Sequence, residues 1–256
     1  MSSSPASIQP LIDLLLSWAV ATVGDADIVL AKHDYFAKTG GEVHEDDRSF
    51  EQRMQGFFNW YLFDRRVRSE RGEQSPAQRF LNDRGAQLAD PERDLVAGAT
   101  QSRLSLYEYL GHRALFRRVP DGMVRVRDVI TKDDFDVIER RAMVGLETGD
   151  LFESRLIPVA SKWHFSSSFI YHPRDARPTV LKEIKKRRKA LELADPRAFC
   201  WEISRMALQA ERFRNVQLVA IYNFETPFLG HKKKSSGPGM EKPVSAEKQP
   251  AAEKTP

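Results

Sequence analysis

The chain has almost no cysteine, no long apolar run and few of the short motifs that mark common chemistries. Of its 256 residues one is a cysteine, Cys200. A single thiol closes no internal disulfide and cannot supply a cysteine-based zinc ribbon or an iron–sulfur cluster, so the expected compartment is reducing. Cys200 stands between Phe199 and Trp201 in an apolar helical pattern and reads as a buried packing thiol. The most apolar stretch, Leu11 to Val23, contains Asp13 and Ser17 and is shorter than the roughly 20 residues that span a bilayer. No basic residue precedes Lys32, so that stretch lacks the positive flank of a secretory signal. The expectation is a cytoplasmic protein that does not engage a membrane.

Catalytic signatures are also scarce. Neither Gly-x-Ser-x-Gly nor a phosphate-cradling Gly-x-x-x-x-Gly-Lys or Gly-x-Gly-x-x-Gly occurs, which removes the usual nucleophile elbow and nucleotide loops. The six histidines form neither His-x-x-x-His nor His-Glu-x-x-His. His164 and His172 are eight residues apart on one strand pattern, about 26 Å if extended, too far to share a metal. The expectation is therefore no cofactor and no catalytic residue.

What is present is an ordinary globular composition: 41% apolar and 30% charged residues, with a mean hydropathy of -0.50. These values exclude an integral membrane protein, a collagen-like repeat and a wholly disordered chain. The net charge is +4, but it is unevenly spread, with residues 1–100 at -5, 101–175 at +1, 176–230 at +5 and 231–256 at +3. An acidic front and a basic rear form an asymmetry that bears on partners.

The pattern predicts an α+β protein in five parts. Residues 1–9 are Ser-rich and frayed. Residues 10–103 form a helical bundle, with one helix from Pro10 to Val23, a second over 28–38 closed by Gly40 and Gly41, and a third over 49–68. Ser75-Pro76 and Asp90-Pro91 pair an N-cap with a first-turn proline and open two more helices. From 104 to 175 the period becomes two. Runs at 104–110, 113–119, 123–128, 135–137, 151–159 and 162–172 predict a small antiparallel β-sheet or barrel. Helical spacing returns in 176–229, in helices after Pro178 and after Pro196, and the apolar run 216–224 is expected to rejoin the sheet. Residues 230–256 are Lys, Pro, Ala, Ser and Glu, a composition expected to stay disordered.

The strongest functional signal is the basic run 182–189. On a helix, Lys182, Lys185, Lys186 and Lys189 line one side and could neutralise phosphates. A solvated helix face explains the same residues, because charge runs are commonly surface. Arg125 and Arg127 alternate with Val124 and Val126, so they share the outward face of a strand. Arg117, Arg118, Arg140, Arg141, Arg155 and Lys162 could extend that positive surface. Trp163, Phe165 and Phe169 are expected to face inward, and the aromatic run 57–63 has the helical spacing of a core. Two acidic groups deserve weighing as metal sites. His44, Glu45, Asp46, Asp47 and Glu51 could hold a hard cation, but acids gather at helix starts for the dipole alone. Asp128 or Asp136 with Glu139 and Arg141 could form a nuclease-like cluster, but such a site needs a base and arginine does not release its proton.

One order of features resembles a loose group of uncharacterised bacterial proteins. It comprises an aromatic helix (Phe57–Arg66), the Ser75-Pro76 helix start, a strand with Ser105-Leu106-Tyr107-Glu108, and a Gly149-Asp150-Leu151 turn. The resemblance covers residues 25–173. Similar segments occur beside SEC-C zinc motifs, and this chain has none to carry a metal role. The resemblance implies the architecture and a bacterial cytoplasmic setting, and no activity. Taken together, the sequence points to a non-catalytic binding or adaptor protein with an unknown protein partner. The alternatives are nucleic-acid binding through Lys182, Lys185, Lys186, Lys189, Arg125 and Arg127, or a metal-dependent hydrolase or nuclease. The oligomeric state is not written in these patterns.

Overall fold

A computed structural model describes residues 8–111, 122–139, 145–159, 161–193 and 195–228. The first layer is helical: α1 (Gln9–Val23), α2 (Asp25–Thr39), α3 (Phe50–Phe63), α4 (Pro76–Arg84) and α5 (Asp90–Thr100). Each start is set locally. Pro10 occupies the first turn of α1, and Gly24, at φ 100°, breaks the chain between α1 and α2, which bend by 116°. At α4 the Ser75 hydroxyl accepts from the Gln78 N–H at 3.3 Å, and the Gln78 side chain accepts from the Ser75 N–H at 3.1 Å. This reciprocal cap satisfies two otherwise orphaned donors. No described helix is long and apolar enough to cross a membrane.

The third helix ends at Phe63, earlier than its spacing predicts. Residues 67–74 instead form a short hairpin, β1 (Val67–Ser69) against β2 (Gly72–Gln74). Gly72 adopts φ 94°, a conformation that costs glycine nothing. The Ser69 hydroxyl closes the turn by donating to the Gly72 carbonyl at 2.7 Å. That turn chemistry outweighs the weak helical period of an arginine-rich segment.

Five further strands follow: β3 (Arg103–Gly111), β4 (Met123–Asp128), β5 (Asp134–Ile138), β6 (Leu151–Val159) and β7 (Lys162–Tyr171). They close into a barrel in the order β3-β4-β5-β7-β6. Four pairings are antiparallel, and β5 meets β7 in parallel. A ring of five strands cannot alternate direction all the way round, so at least one parallel seam is required. Numbered within the barrel, the order is 1-2-3-5-4-1 with strands three and five parallel, the Greek-key topology of an OB-fold. The predicted strand at 113–119 lies outside the described residues.

The barrel interior is apolar and aromatic: Tyr107, Val124, Val126, Phe135, Val137, Phe152, Leu156, Phe165 and Phe169 form one buried cluster. Phe165 and Phe169 thus face inward, as their alternation predicts. The outer faces of β6 and β7 are covered too. Ile157 and Val159 belong to the same apolar cluster as Leu15, Phe57, Tyr61 and Phe80 of the helices.

The chain then forms α6 (Arg177–Leu193), α7 (Arg197–Arg212) and the short α8 (Leu218–Ile221). The run 216–224 does not rejoin the sheet. A closed barrel has no free edge to accept it, and Ile221 and Tyr222 pack with Val180, Ile184 and Ile203 instead. Cys200 is fully buried, and burial raises its thiol well above the ordinary range. The first two helices bury Leu11, Ile12, Leu15 and Ala31 and leave Leu14, Val20, Val29 and Leu30 exposed.

Gly98 explains how closely α5 approaches the barrel. A Cβ there would stand 2.0 Å from the Pro158 carbonyl oxygen. Alanine is ordinarily the better helix residue by about 1 kcal/mol, but here the clash decides the sign. Gly98→Ala is expected to destabilise the fold by about 2 kcal/mol, read as a lower urea midpoint; an unchanged or raised midpoint would show that α5 does not sit this close.

Candidate functional site

The residues singled out by charge fall on two separate elements. Lys182, Lys185, Lys186 and Lys189 are all exposed on α6, whose opposite face carries buried Val180 and Ile184. Lys186 lies 3.8 Å from Glu183 and 3.7 Å from Glu225. Lys182, Lys185 and Lys189 have no ion pair among the described residues. Arg187 points elsewhere, to Glu183 and, at 2.8 Å, to Glu202.

Arg125 and Arg127 do face outward on β4, but their charge is matched. Arg125 bonds Asp136 at 3.2 Å and Asp134 at 3.3 Å, and Arg127 bonds Asp134 at 2.7 Å. The two arginines hold the Asp134 carboxyl below its usual range, Arg127 through the larger share. The β4–β5 surface is therefore a cross-strand ion-pair ladder. Val129 and Ile130, just past β4, belong to the same buried cluster as Val180 and Ile184, so α6 and the end of this hairpin share a core.

Arg155 is not a surface cation. It is 2% exposed, bonds Asp64, and donates to the Ser102 hydroxyl at 3.0 Å. Lys162 is exposed. Arg117, Arg118, Arg140 and Arg141 lie outside the described residues.

The proposed metal clusters are used otherwise. Asp47 accepts from the His44 N–H at 2.8 Å and takes two bonds from Arg212, at 2.9 and 2.6 Å. Arg212 holds its carboxyl below the usual range. This pair fastens the loop before α3 to α7. Asp128 is fully buried, accepts from the Ile130 and Thr131 N–H groups at 2.9 and 3.1 Å, and pairs with Arg103 at 3.0 Å. Among the described residues no three His, Cys, Asp or Glu side chains gather as a metal site.

The most unusual chemistry lies between the barrel and the helices. Odd-numbered residues of β6 point away from the barrel interior, and two of them, Glu153 and Arg155, are charged and buried. Glu153 stands 3.1 Å from Nε2 of His172, whose Nδ1 is 3.0 Å from the Tyr222 hydroxyl. Arg53, 3% exposed on α3, donates to the Ser49 hydroxyl at 2.8 Å and to the Ser204 carbonyl at 3.0 Å. Burial pushes the Glu153 carboxyl and the Tyr35 and Tyr222 phenols upward, and lowers Arg53. Nδ1 of His172 is thus held by the Tyr222 hydroxyl, whereas Nε2 and the Glu153 Oε1 lie close together but make no hydrogen bond. Sequence reasoning missed this layer. The signal was parity: Glu153 and Arg155 share the parity of Leu151, Ile157 and Val159, an apolar set that must be covered.

Residues 32–203 match the model of a family described as a family of unknown function (DUF7986). The match spans more than half of the chain and, beyond the expected 25–173, takes in the lysines of α6. No curated protein and no solved structure matches.

Two consequences of the buried layer can be measured. A carboxyl raised by burial stabilises the fold fully below the unfolded carboxyl range, near 4.3, and loses that contribution as pH rises through its folded value. Glu153→Gln keeps the shape without the charge. The stability of wild type relative to this variant should fall in urea titrations as pH rises above about 4.3, and a pH-independent difference would contradict the burial argument. Arg155→Ala removes one of the two cations on Asp64, which keeps Arg197 at 3.2 Å, and should cost about 1–3 kcal/mol, visible as a lower thermal midpoint; an unchanged midpoint would mean that the pair is solvated.

Proposed function

We propose that this chain, which belongs to the DUF7986 family of unknown function, is a non-catalytic binding protein whose α6 surface holds an anionic partner, with nucleic acid the partner class that fits it best. The observation that carries the reading is the contrast between two kinds of cation. Arg125 and Arg127 of β4, Arg53 and Arg155 of the helix–barrel layer, and Arg212, which ties α7 to the loop before α3, are engaged by carboxylates or carbonyls. Lys182, Lys185 and Lys189 are exposed and have no ion pair among the described residues. Flexible, hydrated ammonium groups in a row suit the spaced phosphates of a nucleic-acid backbone, where counterion release supplies affinity.

The OB-type topology adds support by analogy only, since barrels of this kind often hold single strands. Here Asp134 and Asp136 cancel Arg125 and Arg127 on the β4–β5 face, so the reading rests on the helix. A bacterial cytoplasmic setting belongs to the same proposal.

The test is a fluorescence-anisotropy titration of the full chain against single- and double-stranded oligonucleotides over a range of salt. Saturable binding that weakens with salt is expected. Replacing Lys182, Lys185 and Lys189 by glutamate should abolish most of it, and replacing them by glutamine should flatten the log–log salt slope by roughly 2 for single strands. No saturable binding at low salt, or an unaltered slope in a folded triple variant, would overturn the reading and turn the search to acidic protein partners.

A further inference from the structure

A small cavity of about 20 Å³ lies where α2, α3, α7 and the outer face of the barrel meet. Its lining includes Tyr35, Asn59, Glu153, Arg155, Ser168 and Trp201. Asn59 is 2% exposed, and neither its amide oxygen nor its amide nitrogen has a hydrogen-bond partner. The Nε of Arg155 and the Nε1 of Trp201 are likewise buried and unpartnered. Each such group costs about 1–3 kcal/mol if its hydrogen bond stays unmade. With Glu153 Oε1, also buried and unpartnered, five such atoms belong to residues lining this one cavity, from α3, β6 and α7.

The geometry points to a specific site for one buried water molecule, which joins the helical layer to the barrel. Size sets the first limit, since about 20 Å³ exceeds the 10–15 Å³ that one water needs and leaves no space for a polyatomic ligand. Charge sets the second. Arg155 is already neutralised by Asp64, so no net positive charge awaits an anion, and the Glu153 carboxyl in the lining would repel one. The guanidinium and the indole N–H would in turn repel a cation. The donor set is the third limit. Trp201 Nε1–H, Arg155 Nε–H and Asn59 Nδ2–H seek acceptors, whereas Asn59 Oδ1 and Glu153 Oε1 seek donors, a mixed set of five of which one water serves four. Water supplies two of each.

The backbone is shaped for this site. Gly56 in α3 sits beside it, and a Cβ there would be 2.8 Å from the Tyr35 hydroxyl and 3.1 Å from the Ser168 hydroxyl. A mid-helix glycine is otherwise unfavourable, so its place here is explained by the two hydroxyls it admits.

Two measurements on the full chain test the site. In a crystal structure at high resolution, a single spherical density peak is expected within hydrogen-bond distance of Trp201 Nε1, Arg155 Nε and Asn59. An empty cavity, polyatomic density, or Asn59 bonded directly to Trp201 would overturn the inference. In solution, oxygen-17 relaxation dispersion counts long-lived waters. Asn59→Leu, which removes both amide groups at nearly constant volume, should lower that count by one. An unchanged count in a variant with native circular dichroism would refute the site. Should the variant fail to fold, the wild-type density decides alone.

Discussion

Closure of a five-membered ring of strands is the constraint on which the rest of this structure depends. An odd ring must contain a parallel seam, and β5 with β7 supplies it. Closure uses up the strand edges, so no later segment can add to the sheet. The apolar run at 216–224 therefore turns into the short α8 and packs on α6 and α7. Closure also gives β6 and β7 two buried faces, one toward the barrel interior and one toward the helices.

That second face makes the protein more than a barrel with helices attached. Between the layers lies a polar stratum of Arg53, Glu153, Arg155 and His172, each almost removed from water. Burying a charge is unfavourable unless it is paired and hydrogen-bonded; Arg155 draws on Asp64 and Ser102, Arg53 on Ser49 and Ser204, and His172 on Tyr222. Apolar packing would hold two layers together in many registers. Directional bonds from Ser168 and Phe169 of β7 to Gln52 of α3, and from Arg155 of β6 to Asp64 at the end of α3, favour one. The cavity at Asn59 belongs to the same stratum, where a water would complete the bonds that side chains do not reach.

Charge is divided by role. Arg53, Arg125, Arg127, Arg155 and Arg212, with planar groups suited to bonding carboxylates two at a time, are spent inside the molecule or across neighbouring elements. The lysines of α6 are left on the surface, and the family match reaches far enough to include them. This division separates a structural set of cations from a set available to a partner, and the proposed nucleic-acid contact rests on it.

Much of this was legible in the chain alone. The strands at Leu151–Val159 and Lys162–Tyr171, the β4–β5 hairpin, the Ser75 cap and the inward aromatics follow from period, turn residues and capping chemistry, all of them local. So do the burial of Cys200 and the exposure of the α6 lysines, since helical spacing assigns each residue a face. The parallel seam, the fate of residues 216–224, the burial of Arg155 and the neutralisation of Arg125 and Arg127 were decided only by tertiary structure. Each depends on which distant segment lies opposite: Asp64 is 91 residues from Arg155, and no local period encodes that distance. Sequence fixes which way a side chain points along its own element, and only packing determines what it meets there.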